Sequence, residues 1–251
     1  FVSEYDYDLR LESYEDSDYI LCASEFVKRS FLERGFADEK LLKVNFGFKT
    51  FSSDNHQSAP KGKDDVFRVL YVGQLHFRKG LRYAIEAFKQ LKHPNKEFFI
   101  VGPKTTITGL ENVSIPDGVT FTGVLKGEDL AEQYRQASLF VLPSLEEGLA
   151  LVQGEALSFG IPLLITTNTG GEDIITNGKE GFIVPPADTQ ALLEKMQLVA
   201  DDPLLREEMS ANAFETTSSL GSWDAAGAKL VSELTRIAEK KSNLQASSHV
   251  G

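Results

Sequence analysis

Cysteine is almost absent: Cys22 is the only one in 251 residues. A single thiol excludes any intramolecular disulfide and any zinc cage built on several thiolates, and a reducing cytoplasm is the expected setting. Long apolar runs are missing too. None approaches the roughly 18 residues of a membrane helix, and the first residues, Phe1-Val2-Ser3, carry neither Met nor a signal-peptide pattern. This start is expected of a piece cut from a longer protein. Positive charge is in deficit. A net charge of −11 argues against a surface built to hold nucleic acid, though not against a local basic loop that holds a phosphate. There is no G-x-G-x-x-G, no P-loop and no internal repeat. Histidines 56, 76, 93 and 249 have no ligand spacing, and neither Asp6-Tyr7-Asp8 nor Asp16-Ser17-Asp18 follows a strand. No metal is expected.

What is present is punctuation and period. Residues 52–65 carry almost no apolar side chains and are expected to be a linker or mobile loop, the best domain boundary. Before it, a strand at 19–23, a helical pattern of Phe26, Val27, Phe31 and Leu32 stopping at Gly35, and a strand at 41–46 read as the tail of one α/β domain, residues 1–51. Beyond it, strand-length apolar runs at 66–72, 98–101, 119–121, 139–142, 163–165 and 182–184 alternate with helical patterns at 81–91, 130–136, 151–159 and 189–199. Asp188 reads as an N-cap, and Asp202-Pro203 as a second cap with proline at the first helical position. Several strands are apolar throughout, as expected when helices cover both sheet faces. The expected fold of 66–220 is a doubly wound, Rossmann-like parallel α/β sheet of about six strands. Ser222 is expected to cap a closing helix at 221–240 that carries Trp223, with a polar, frayed tail at 241–251.

Ligands of such sheets bind beyond the carboxyl ends of the strands, and two of those loops carry charge. The first, Gly73-Gln74-Leu75-His76-Phe77-Arg78-Lys79-Gly80, leaves a strand and enters a helix. Paired cations there, with glycines permitting close approach, suit a phosphate or diphosphate, although on spacing alone a solvated basic turn is the stronger reading. The second runs from Pro143 to Ala156 and carries Glu147 before the first helical turn and Glu155 two turns inside it. Free N–H groups at Leu149, Ala150, Leu151 and Val152 are expected to face the same crevice as Arg78 and Lys79. Taken singly, Glu147 reads as a helix-start acid and Glu155 as an exposed helix residue. Taken together, cations, amides and flanking carboxylates suit an anion that also bears hydroxyl groups.

The setting Pro-Ser-x-Glu-Glu-Gly around Glu147–x7–Glu155 resembles the signature of family 4 retaining glycosyltransferases of GT-B fold. Further landmarks follow in order: Val72-Gly73 with Lys79-Gly80, Val101-Gly102-Pro103, Phe121-x-Gly123, Gly160-Ile161-Pro162, Gly170-Gly171 and Gly181 to Pro186. Upstream, Ser24-Glu25 and Gly47-x3-Phe51 look like the last strand–helix–strand of the family's N-terminal, acceptor-side domain. The chain departs at Gln74, where the family usually has Arg, and at Leu149 and Ala150, where Phe and Gly are usual. Gly170-Gly171-Glu172-Asp173 is one residue shorter than the family pattern, with Asp173 where Glu is expected.

The resemblance implies a retaining hexosyltransferase whose donor-binding part is this chain, weak or inactive by itself. Arg78 and Lys79 would neutralise the leaving diphosphate, and Glu147 would meet donor-sugar hydroxyls and support an oxocarbenium-like centre. Glu155 would take the ribose hydroxyls, and backbone at Gly123, Val124 and Leu125 the base. Gly73, Gly148, Leu149, Ala150, Leu151 and Val152 would complete the donor site. The implied partner is a nucleotide sugar, with a glycan, lipid or small-molecule acceptor, no cofactor and no metal. Any membrane contact would come through the N-terminal domain. Two other readings stay open: a nucleotide-sugar-binding module without turnover, and a GT-B-like epimerase. A phosphorylase would need a pyridoxal lysine site, and none is seen.

Overall fold

The computed structural model describes residues 4–48, 66–104 and 108–248. The expected linker at 52–65, together with Phe51, His56 and His249, lies outside them. The first lobe holds α1 (Glu4–Asp16), β1 (Ile20–Cys22), α2 (Glu25–Leu32) and β2 (Leu41–Lys43). Its two strands pair in parallel, Ile20 opposite Leu41. Ser24 caps α2 by accepting from the Val27 N–H, which fixes where the chain turns from strand to helix. The second strand stops at Lys43 instead of running to residue 46, and Asn45 there turns its side chain toward the other lobe. Ile20, Cys22 and Leu41 form a small core with Val27, Phe31 and Phe36 against it.

The second lobe contains β3 (Phe67–Val72), α3 (Leu81–Gln90), β4 (Lys96–Val101), β5 (Val119–Gly123), α4 (Gly127–Gln136) and β6 (Leu139–Leu142). It continues with α5 (Val152–Ser158), β7 (Leu163–Thr166), β8 (Gly181–Val184), α6 (Thr189–Asp201) and α7 (Pro203–Ser219). Strand order is β5-β4-β3-β6-β7-β8, all parallel. The continuous apolar runs are buried on both faces: Val69, Phe140, Val141, Leu163, Leu164 and Ile165 have no exposed surface. Helix α3 packs on α6 and α5 on α7, two helical layers flanking the sheet. Consecutive strands run outward one way from β3 to β5 and the other way from β6 to β8. The sheet therefore reverses between β3 and β6, and the loops leaving those two strands bound a crevice.

The closing helix α8 (Trp223–Ser248) is longer than expected. Residues through Ser248 continue the helix where a frayed tail was expected, since no Pro or Gly interrupts the run from Ala228 onward. Among the described residues no helix is long and apolar enough to cross a membrane.

Candidate functional site

The loop after β3 is shaped by what lies beneath it. Tyr71 is fully buried and its hydroxyl donates to the Gln74 carbonyl at 2.7 Å, holding the turn down. Burial keeps that phenol protonated well above its ordinary range. A Cβ on Gly73 would lie 2.9 Å from the same hydroxyl, so the turn requires glycine. Next, Phe77–Lys79 form one 3-10 turn in which His76 Nδ1 accepts from the Arg78 N–H at 3.4 Å. Gly80 then enters α3 at φ +63°, with the Pro143 carbonyl 1.9 Å from where a Cβ would be. That contact brings the two charged loops together.

Further bonds join them. The Leu145 N–H donates to the Arg78 carbonyl at 2.7 Å. Arg78 pairs with Glu146 at 2.7 Å on the exposed rim, and Lys79 pairs with Glu147 behind it. The inner pair is the sheltered one, with side chains 14% and 21% exposed. Burial pulls the Lys79 ammonium below its ordinary range, the Arg78 charge adds to this, and Glu146 opposes it.

The acidic loop is anchored from its other side. The Glu147 N–H donates to the Asn168 carbonyl at 2.7 Å, and Asn168 donates back to the Leu145 carbonyl at 2.8 Å. Fully buried Gln153 donates to the carbonyls of Ala150 and Thr169 at 3.2 and 3.0 Å. These bonds hold residues 148–151 in a loop, so α5 begins only at Val152. Two expectations change accordingly. Glu155 lies in the first turn of α5, not two turns inside it. The Ala150 N–H is not free, because it donates to the Thr169 carbonyl at 3.4 Å.

Glu155 receives the Tyr134 hydroxyl from α4 at 3.0 Å. Gly123 ends β5 at φ +83°, where its carbonyl accepts from the Gly102 N–H at 3.0 Å; Val124 beyond it is exposed and Leu125 rests on the core. The structure thus brings Arg78, Lys79, Gly73, Glu147 and Gly148 onto two stitched loops. Glu155 follows on the helix behind them, and Gly123, Val124 and Leu125 lie at the end of β5, beyond β4. Leu149 and Ala150 are buried, while Leu151 and Val152 are half-buried. Sequence reasoning missed Gln153 and Tyr134. Both are large polar side chains on apolar helix faces, a signal visible once those faces are assigned.

A doubly wound sheet with cations and carboxylates paired across its switch point, joined to a smaller parallel pair of strands, defines a two-lobed α/β protein. The family model of glycosyl transferases group 1 matches residues 52–216. The chain is 34% identical over 175 residues to alpha-D-kanosaminyltransferase of Streptomyces kanamyceticus, covering 67% of this chain and 45% of that protein. Sucrose-phosphate synthase from Thermosynechococcus elongatus superposes with a TM-score of 0.77 at 23% identity, over 95% of this chain and 63% of that one. Anabaena HepE, solved in complex with UDP and glucose, gives a TM-score of 0.76 at 18% identity, over 93% of this chain and 68% of that one. The fold is that of the GT-B glycosyltransferases, and the chain belongs to the group 1 glycosyl transferases. It spans about half the length of the curated relatives it matches.

Proposed function

We propose that this chain is the donor-binding part of a retaining, metal-independent glycosyltransferase that takes a sugar from a nucleoside diphosphate. The observation that carries this reading is the Lys79–Glu147 pair at the switch point. In the ligand-free protein each neutralises the other. A donor's diphosphate competes for Lys79, helped by Arg78 at the rim, and thereby frees Glu147 to accept from donor-sugar hydroxyls. Glu155 takes the ribose hydroxyls, and the backbone at Gly123 to Leu125 reads the base. As the anomeric carbon–oxygen bond breaks, charge accumulates on the diphosphate and is met by Lys79 and Arg78. The acceptor oxygen bonds to the anomeric carbon on the face the phosphate leaves, and a phosphate oxygen takes the acceptor proton. No protein nucleophile enters. HepE, a fold neighbour with UDP and glucose bound, supports a nucleotide-sugar ligand.

The first test is a thermal-shift screen of this chain against UDP-, GDP- and ADP-sugars, in which one donor should raise the melting temperature. In a protein that also carries the acceptor-side domain, Lys79→Ala should cut turnover by roughly two orders of magnitude, the scale of losing one oxyanion donor. Wild-type turnover would refute the assignment. Donor binding lost in EDTA would overturn metal independence, and conversion of a free nucleotide sugar without acceptor would favour an epimerase.

A further inference from the structure

Tyr134 of α4 reaches the candidate site from inside the core. Its ring is fully buried, stacked on Phe159 with centroids 5.2 Å apart and 11° between planes, and lies 6.2 Å from Phe140. Such packing leaves the phenol one orientation. Its hydroxyl emerges against Glu155 and donates to Oε2 at 3.0 Å. Burial, the Glu155 charge and this hydrogen bond all hold the phenol protonated far above its ordinary range, so it remains a donor at any working pH. Glu155 is only half-buried, so packing by itself does not fix its long side chain. A hydrogen bond to one carboxylate oxygen restrains the rotamer of the whole side chain.

We propose that Tyr134 is a positioning residue that locks the Glu155 carboxylate so that its second oxygen is presented to the paired ribose hydroxyls of a nucleoside diphosphate. This deepens the reading above and rests on it: Glu155 makes the contact, and Tyr134 acts through Glu155. The carboxylate oxygens need this arrangement because vicinal hydroxyls are recognised by angle as much as by charge. A swinging carboxylate would meet them with a rotamer entropy cost that a locked one avoids.

The test compares binding of UDP and 2′,3′-dideoxy-UDP to this chain by calorimetry, for the wild type, Tyr134→Phe and Glu155→Gln. Phe keeps the ring and its stacking and removes one oxygen. Wild type should prefer UDP over the dideoxy probe, and Glu155→Gln should lose most of that preference. Tyr134→Phe should weaken UDP binding roughly threefold to tenfold, the range for one hydrogen bond, and leave binding of the dideoxy probe unchanged. Equal weakening of both probes by Tyr134→Phe would mean a packing role only and would overturn the proposal. Unchanged UDP binding in Tyr134→Phe, with Glu155→Gln impaired, would overturn it while sparing the role of Glu155. A Glu155→Gln variant that discriminates like wild type, or a wild type blind to the ribose, would overturn the reading of Glu155 and the proposal with it.

Discussion

Lys79 is held where its charge is least comfortable, with Glu147 paired against it. Burial and the neighbouring Arg78 pull its pKa below the ordinary lysine range, while Glu147 offers the compensating contact. A diphosphate would replace one carboxylate with stronger negative charge, so the lysine would be easier to protonate in the complex than without it. The sign follows. As pH rises through the depressed pKa of the free protein, the ammonium is lost before binding, and affinity for UDP falls. Calorimetric titrations between about pH 7 and 10 should show this decline beginning below the ordinary lysine range near 10.4. Lys79→Arg keeps its charge throughout and should abolish the decline. An unchanged alkaline profile in Lys79→Arg would place the titrating group elsewhere. The two acids before the site, Glu146 and Glu147, were legible from sequence as a charged loop. Their division into a rim partner for Arg78 and a sheltered partner for Lys79 was not, because it depends on Gly80 approaching the Pro143 carbonyl.

Elements were the most legible level, since their signals are local. The strand at 139–142 and the helix starts at Asp188 and Asp202 coincide with the structure, and the strand expected at 163–165 runs one residue further, because apolar runs and caps act within a few residues. Asp188 accepts from the Ala191 N–H at 2.9 Å. Asp188→Ala should therefore cost about 1 kcal/mol in chemical denaturation, with the sheet unaltered; no change would mean that packing of α6 on α3, α7 and the sheet holds it without the cap. What failed locally was decided by distant partners. Helix α5 starts late because Gln153 and Thr169 hold the preceding loop, a constraint across 16 residues. The C-terminus of α3 is closed by a lysine from β4: Lys96 Nζ donates to the carbonyls of Phe88 and Leu91 at 2.7 and 2.6 Å. A cation there complements the helix dipole, yet nothing in the run at 96–101 marks it as a cap. The helix α1 was missed because its acidic, tyrosine-rich sequence shows no apolar stripe.

At the scale of the whole chain, the first lobe is fastened to the second at several places, one of them a loop that bears the site. Ser24 donates its hydroxyl to the Gly148 carbonyl, one residue beyond Glu147. The Phe48 N–H donates to the Gly221 carbonyl at 3.1 Å, and Gly47 lies against the backbone of Trp223, where any Cβ would clash. The broadest joint is Asp173. Its carboxylate accepts from the Glu25 N–H at 2.9 Å, from Asn45 at 2.7 Å and from Lys43 at 3.2 Å, three groups of the first lobe. The residue that stood out in sequence as a departure, Asp where the resemblance predicted Glu, is thus one of the points where both lobes meet. A main-chain donor of the first lobe, the Glu25 N–H, reaches this short carboxylate directly. Asp173→Ala removes three acceptor contacts at once and leaves half-buried donors without their partner, although Lys43 keeps Glu25 at 3.3 Å. The expected cost is about 1–3 kcal/mol, and it should appear as local opening. In native-state hydrogen exchange, amides of β1, α2 and β2 should lose protection by that amount while those of β3, β6 and β7 keep theirs. Uniform loss across both sheets would show that the lobes unfold as one unit and that Asp173 contributes to global stability, with no separate joint to open. If the exchange is confined to the first lobe, the same contact that places Gly148 beside Ser24 also governs how firmly the Glu147 loop is held, and donor affinity should weaken in Asp173→Ala without any change in the residues that touch the donor.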